Sequence, residues 1–431
     1  MDPLEAWKQQ LDRPTDAFFA AAAARMALDE GPKEATREAI RHLVPRIGWS
    51  EYHPHLPMGL CGLRAVWRLK DLLAEQSFRR ALATQLHMLA HEGRASAGRA
   101  LGDLGVGSGS LENLDMALAT RRPSIAWGEC QGLDPVEPAH FDRIAAGVQD
   151  DMSHLGHKAL FCFQFQDLHA RLGHPKASGR RLLGLTAWMA AQEPVDTFWA
   201  QRAQRRLDGV AAPRVAPATL SMSEHQRLAR EVCDLGLVAL LDAWAGHVRS
   251  GMGSGDLLAA LVLAASEKQL DARRDLEGKT AWTFHYLATL GGMLQPVAHA
   301  ATWLQAAALV NLFPTDEPED RLAARPPRDA DARLEDAILD AEPTHALYLS
   351  AECQPSETLR VLADCATRND PVFNHASQVM AVASAADLLD RVPDPVAGAM
   401  VGSLAKSLAN AQGGSDLGRL ADRALAARSG S

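Results

Sequence analysis

The sequence predicts an all-α protein, and three observations predict it. Alanine and leucine dominate a chain in which aromatic residues are only 5% and β-branched runs with period-two alternation are missing. Apolar residues recur at three-to-four spacing through nearly every long segment. The breaks between those segments read as glycine- and proline-bearing turns. At 431 residues the length admits two or three domains, or one large helical domain.

Taken in order, the spacing predicts helices over 17–28, 33–45, 58–76, 78–92 and 111–119. Further helices are expected over 139–172, 178–191, 197–206, 223–248, 255–267 and 281–293, and a last set over 298–312, 331–351, 356–367, 371–390 and 394–410. Gly102 to Gly109, Ala211 to Ser221 and Arg249 to Gly255 read as turns or loops. Pro314 to Ala330 is charged, proline-rich and apolar-poor, the best candidate for a linker or a surface loop. The tail beyond Gly413 is small and polar and is expected to fray. No fixed-period repeat is visible, which disfavours a regular solenoid.

Composition excludes several function classes. A formal net charge of -9 with no long basic run argues against a nucleic-acid partner. The six cysteines are scattered, form no CxxC pair and sit mostly among apolar neighbours, as expected of small core hydrophobes in a reduced, cytoplasmic protein. The N-terminus has no continuous apolar core, so no secretory signal is expected. The longest apolar runs, such as Leu257 to Ala265, are too short to span a bilayer.

Two glycine motifs, Gly105-Val106-Gly107-Ser108-Gly109 and Gly251-Met252-Gly253-Ser254-Gly255, look faintly like nucleotide loops. Neither follows a strand or has the full spacing, so both are read as turns. His87 and His91, four apart, are able in principle to bind a metal together. Beside Glu92 and Arg94 they are read as a solvated face.

The histidines on otherwise apolar faces carry more weight. In Trp49 to Leu63, Pro54 and Pro57 keep the chain extended and then start a helix, so that His55 stands at its mouth and Leu60, Leu63 and Trp67 face the core. Farther on, His154, His157 and Lys158 share a face with Phe161, Phe165 and Leu168. His299 opens a helix that continues through Trp303, and His285 precedes it on another apolar segment. Finally His345, Tyr348 and Glu352 project to one side of a helix starting at Pro343. Four helix starts thus aim an imidazole at a core with few other polar groups. Unpaired buried imidazoles cost several kcal/mol together, and one metal would satisfy them all.

In order and rough spacing, from about residue 15 to 390, these motifs resemble the questin oxidase-like family. The resemblance rests on His55-Leu56-Pro57-Met58-Gly59-Leu60, on His154-Leu155-Gly156-His157-Lys158-Ala159-Leu160-Phe161, and on His299-Ala300-Ala301-Thr302. It closes with Asp340 to Tyr348 followed by Asn369-Asp370-Pro371. It implies a single large all-helical domain over 1–415 with a central histidine-lined pocket, a charged loop about 314–330 and a flexible tail at 416–431. It also implies oxygenation of an aromatic, polyketide-like small molecule by O2, with Fe(II) held by His55, His154, His299 and His345.

In that expectation His157, Lys158 and Tyr348 act at the reacting centre, and Trp67, Phe161, Phe165, His285 and Trp303 wall the substrate. The family's last motif carries a lysine where this chain has Tyr348, or Gln378 if His375 rather than His345 is the counterpart. Tyr348 or Glu352 is then the available oxygen ligand. A metal-free histidine base and a non-catalytic helical binding protein are the competing expectations.

Overall fold

Helices account for every regular element among the described residues, which lack any strand. A computed structural model describes residues 2–28, 30–48, 58–92, 100–149, 151, 156–193, 198–207, 210–271, 279–294, 298–312, 324–329, 331–368 and 373–410. His55 and His154 lie outside them, as does most of the expected 314–330 loop and all of the 416–431 tail. The chain gathers into two compact units. One comprises Met1–Val148 with His157–Pro194 and Ser415–Ser431, and the other Gln149–Gly156 with Val195–Gly414.

The first unit contains α1 (Pro3–Asp12), α2 (Phe18–Met26), α3 (Gly31–Leu43), α4 (Met58–Leu69) and α5 (Glu75–Glu92). It continues with α6 (Leu111–Ala119), α7 (Pro123–Gly132), α8 (Pro138–Val148), α9 (His157–Arg171) and α10 (Lys176–Ala190). Helix α10 is its centre: every residue from Leu182 to Ala190 is buried, and it packs on α3, α7, α8 and α9. A helix that is apolar all round has nowhere else to go. Gly184 makes the α7 contact close, since a Cβ there would stand 2.2 Å from Gln131 Nε2 and 2.9 Å from Trp127.

The second unit holds α11 (Phe198–Arg206), α12 (Met222–Asp234), α13 (Leu237–Arg249), α14 (Ser254–Asp271), α15 (Lys279–Thr289) and α16 (Ala300–Leu312). Helices α17 (Leu334–Leu339), α18 (Pro343–Ala351), α19 (Pro355–Arg368), α20 (Phe373–Leu388) and α21 (Asp394–Asn410) complete it. Its central helix is α14, buried continuously from Ser254 to Ser266 and packed on α12, α15, α16 and α21. The apolar run Leu257 to Ala265 is therefore core. No helix among the described residues is long and apolar enough to cross a membrane.

Three expected helices are each two helices. The expected 139–172 helix is divided into α8 and α9, and 223–248 breaks where Gly236 takes an extended conformation as the N-cap of α13. The third, 331–351, is interrupted by Ala341 at a left-handed φ of 60° ahead of Pro343 at the start of α18. All six cysteines are free, and Cys61, Cys130, Cys162 and Cys365 are buried. Burial pushes the Cys365 thiol up to about 12, in keeping with an inert core residue.

Candidate functional site

In the second unit two of the candidate histidines lie on α15 and on the chain that follows it. His285, fully buried in α15, meets Ser384 of α20 through Nδ1 and Oγ at 2.6 Å, and the two helices pack together. Thr289 Oγ1 donates to the His285 carbonyl at 2.9 Å. The helix then widens into one π-helical turn over Leu290–Leu294, where Arg391 donates to the Gly291 carbonyl. Such π-turns are uncommon and often accompany functional sites.

Beyond that turn, His299 stands just before the first turn of α16, and its carbonyl accepts from Thr302 N at 3.0 Å. Its backbone N–H donates to Oε1 of Gln149 at 3.1 Å, while the Gln149 Nε2 lies 3.4 Å from His299 Nε2. Gln149 is buried, whereas His299 is exposed rather than aimed into the core. Trp303, expected on a substrate wall, is buried within α16.

His345 also departs from the expectation of an inward imidazole. Helix α18 buries Ala346 and Ser350, one turn apart, and these face α21, where Gly402 lies 3.4 Å from Ser350 Oγ when given a Cβ. That leaves His345 and Tyr348 half-buried on the flanks. The His345 Nδ1 is taken by Glu342, three residues earlier at the helix start.

In the first unit, α9 opens with His157 and Lys158, both buried. Lys158 Nζ donates to the Gln192 carbonyl at 2.6 Å, so its ammonium serves the end of the chain leaving α10. His157 meets Phe161 edge-on, with ring centroids 5.6 Å apart, and Phe161 stacks on Phe165 at 14°. Both phenylalanines are wholly buried, so the aromatic wall is packed core. Trp67 is likewise core, donating from Nε1 to Thr36 Oγ1 at 3.2 Å and meeting Phe78 edge-on.

Sequence reasoning missed a buried ionic cluster of this unit. Arg64, buried in α4, donates from Nε to Asp167 Oδ2 of α9 at 2.6 Å, and Arg171 adds a second bond at 2.8 Å. Burial pushes the Asp167 carboxyl up, but the two guanidinium groups outweigh it and hold it below the usual carboxylate range. The available signal was an arginine inside the apolar run Gly62-Leu63-Arg64-Ala65-Val66.

Among the described residues no three or more His, Cys, Asp or Glu side chains converge as a metal site. A surface cleft between α12 and α14, lined by Gln226, Arg230, Cys233, Asp234, Leu263 and Glu267, contains none of the candidate histidines. Comparison with protein-family models, with curated proteins and with solved structures found no match.

Proposed function

We propose that the chain is an oxygenase acting on a flat aromatic, polyketide-like small molecule, with histidines of the second unit at its centre. One observation carries this reading: Gln149 contacts His299 through both ends of its carboxamide across 150 positions of sequence. Gln149 stands five residues before His154, so the chain leading into one histidine motif is tied to the histidine that opens another. Both motifs belong to the ordered set that resembles the questin oxidase-like family.

The donor chemistry fits a divalent metal, since imidazole suits iron among others. His375 is favoured over His345 as a companion. His345 is engaged by Glu342, whereas His375 lies in the first turn of α20, the helix whose Ser384 holds His285. The proposed set in this unit is His154, His299 and His375; His55 is left out of it. A ferrous ion on such imidazoles would supply the one-electron chemistry by which O2 reacts with a closed-shell ring. His285, its ring oriented by Ser384, takes the phenolic proton of the substrate.

The test is iron content and O2 uptake with a hydroxyanthraquinone probe, for the full chain reconstituted anaerobically with Fe(II). Close to one equivalent of iron, lost in His299→Ala and His375→Ala together with probe-dependent O2 uptake, supports the reading. Less than about a tenth of an equivalent after reconstitution sinks it. The buried His285–Ser384 pair favours one alternative, a metal-free enzyme in which His285 is the general base. Turnover that survives strong chelators and follows the titration of one imidazole would select it.

A further inference from the structure

Helix α5 presents His87 and His91 one turn apart in the first unit, separate in sequence from the histidines of the proposed site. Their Nε2 atoms face each other at 3.1 Å, with ring centroids 4.4 Å apart and ring planes at 66°. We infer that His87 and His91 form a two-imidazole site for a borderline divalent transition metal such as Cu(II), Ni(II) or Zn(II).

The distance is the first reason. With metal–nitrogen bonds of about 2.0–2.1 Å, a nitrogen pair 3.1 Å apart subtends about 98° at the metal. That lies between the square-planar and tetrahedral angles, so the two nitrogens can share an ion without changing their separation. Residues four apart on a helix share a face, which makes the pairing a property of α5 itself.

Preorganisation is the second reason. The His87 ring stacks on Phe19 of α2 at 5.1 Å and 24°, and meets Phe18 edge-on at 5.0 Å. One ligand is thereby held in a single orientation, while His91 is exposed. Imidazole pairs suit copper, nickel and zinc, with Cu(II) the tightest in the usual order. The protein supplies two ligands among the described residues, leaving the other positions to water or to a small anionic or imidazole-like molecule.

The competing account is a simple hydrogen bond from one Nε2–H to the other Nε2. The two accounts separate in a titration of the chelator-stripped full chain with Cu(II), and with Zn(II), followed calorimetrically in a non-coordinating buffer at neutral pH. A site retained in His299→Ala but weakened about tenfold or more, on the order of 1.4 kcal/mol, in His91→Ala would bear the inference out. His91 is exposed, so that variant tests ligation without disturbing the core; His87→Phe, which preserves the aromatic packing, should lose the same site. Cu(II) bound by the wild type should show nitrogen hyperfine splitting from two imidazoles. Indistinguishable isotherms for wild type and His91→Ala would overturn the inference and leave the pair as a hydrogen bond. A site that vanishes in His299→Ala instead would also overturn it, while supporting the function proposed above.

Discussion

The Glu129 carboxylate accepts the backbone N–H of Ser110 at 2.9 Å, and the same oxygen accepts Ser108 Oγ at 2.9 Å. The glycine motif Gly105 to Gly109 thus closes on a side chain of α7. Gly107 N also donates to the Gly128 carbonyl at 2.7 Å. A glycine loop with converging donors is a ready anion site, and here the protein's own carboxylate fills it. Burial pushes the Glu129 carboxyl up, yet the donors from Ser110, Ser108, Gly109 and Asn113 together hold it below its usual range. A depressed carboxyl adds stability above the unfolded-state value and loses it as pH falls through the folded one. Stability of the wild type should therefore decline below about pH 4.5, and Glu129→Gln should flatten that decline while costing roughly 1–3 kcal/mol at pH 7. Urea titrations at several pH values measure both.

The same loop makes a sharper claim about glycine. A Cβ at Gly132 would stand 2.5 Å from the Gly107 carbonyl oxygen and 2.6 Å from Gly109 N, both backbone atoms. At Gly184 the nearest atom is the end of the flexible Gln131 side chain, which can move aside at the loss of its bond to the Arg180 carbonyl. Gly132→Ala should accordingly destabilise more than Gly184→Ala, with the latter costing about 1–3 kcal/mol. Equal losses, compared by thermal melts, would contradict the assignment of the glycine motif as a backbone-packed turn.

Asp256, the residue after the second glycine motif, ties the loop at Thr219 and Leu220 and the α12 histidine His225 to the start of α14. It accepts Thr219 N at 2.8 Å, Leu220 N at 2.9 Å, Thr219 Oγ1 at 3.1 Å and the buried His225 Nε2 at 3.1 Å. Burial pushes its carboxyl up, but these donors prevail and it lies below the usual value. Asp256→Ala strands several buried donors and should cost roughly 3–5 kcal/mol, whereas Asp256→Asn should cost less. The wild-type contribution is present above about pH 4 and is lost as pH falls further.

His169 sets a different pH window. Burial lowers its pKa to about 4, with the Val136 carbonyl opposing and His174 adding to the effect. Between about 6.5 and 4 the unfolded chain binds a proton that the folded chain refuses, so stability falls as pH drops through that window. His169→Gln keeps a donor toward Val136 and removes the titration. Its stability should therefore depend less steeply on pH than that of the wild type, by up to about 1.4 kcal/mol per pH unit.

Much of this fold was readable because amphipathic helices carry their own period. The expected 111–119 and 394–410 helices are observed as Leu111–Ala119 and Asp394–Asn410. Helix α7 went unseen because Ala126 to Gln131 are buried on all sides and two glycines dilute its helix propensity, leaving no stripe to detect. The break at Ala341 was unreadable for another reason: alanine gives no sign of a left-handed backbone. The histidines were noticed as residue types on apolar faces, but their partners were not. Gln149 and Ser384 belong to no motif, and only tertiary structure brings them to His299 and His285. Burial of His345 was overestimated because the narrow packing face of α18 runs through Ala346 and Ser350.

Gln149 therefore offers the most direct trial of the proposed function. Gln149→Leu removes the acceptor for the His299 N–H, which is near solvent, and should cost only about 1 kcal/mol. Gln149→Glu keeps that acceptor but replaces the carboxamide N–H facing the ring Nε2 with a carboxylate oxygen, which turns that nitrogen from acceptor to donor. If His299 ligates a metal, Gln149→Glu should remain nearly as stable as the wild type. Its iron affinity should nevertheless change about tenfold or more, as expected when the group orienting a metal-binding histidine is altered. Iron binding in Gln149→Glu unchanged from the wild type would remove His299 from the proposed ligand set, because the group facing its ring would then have no bearing on the metal.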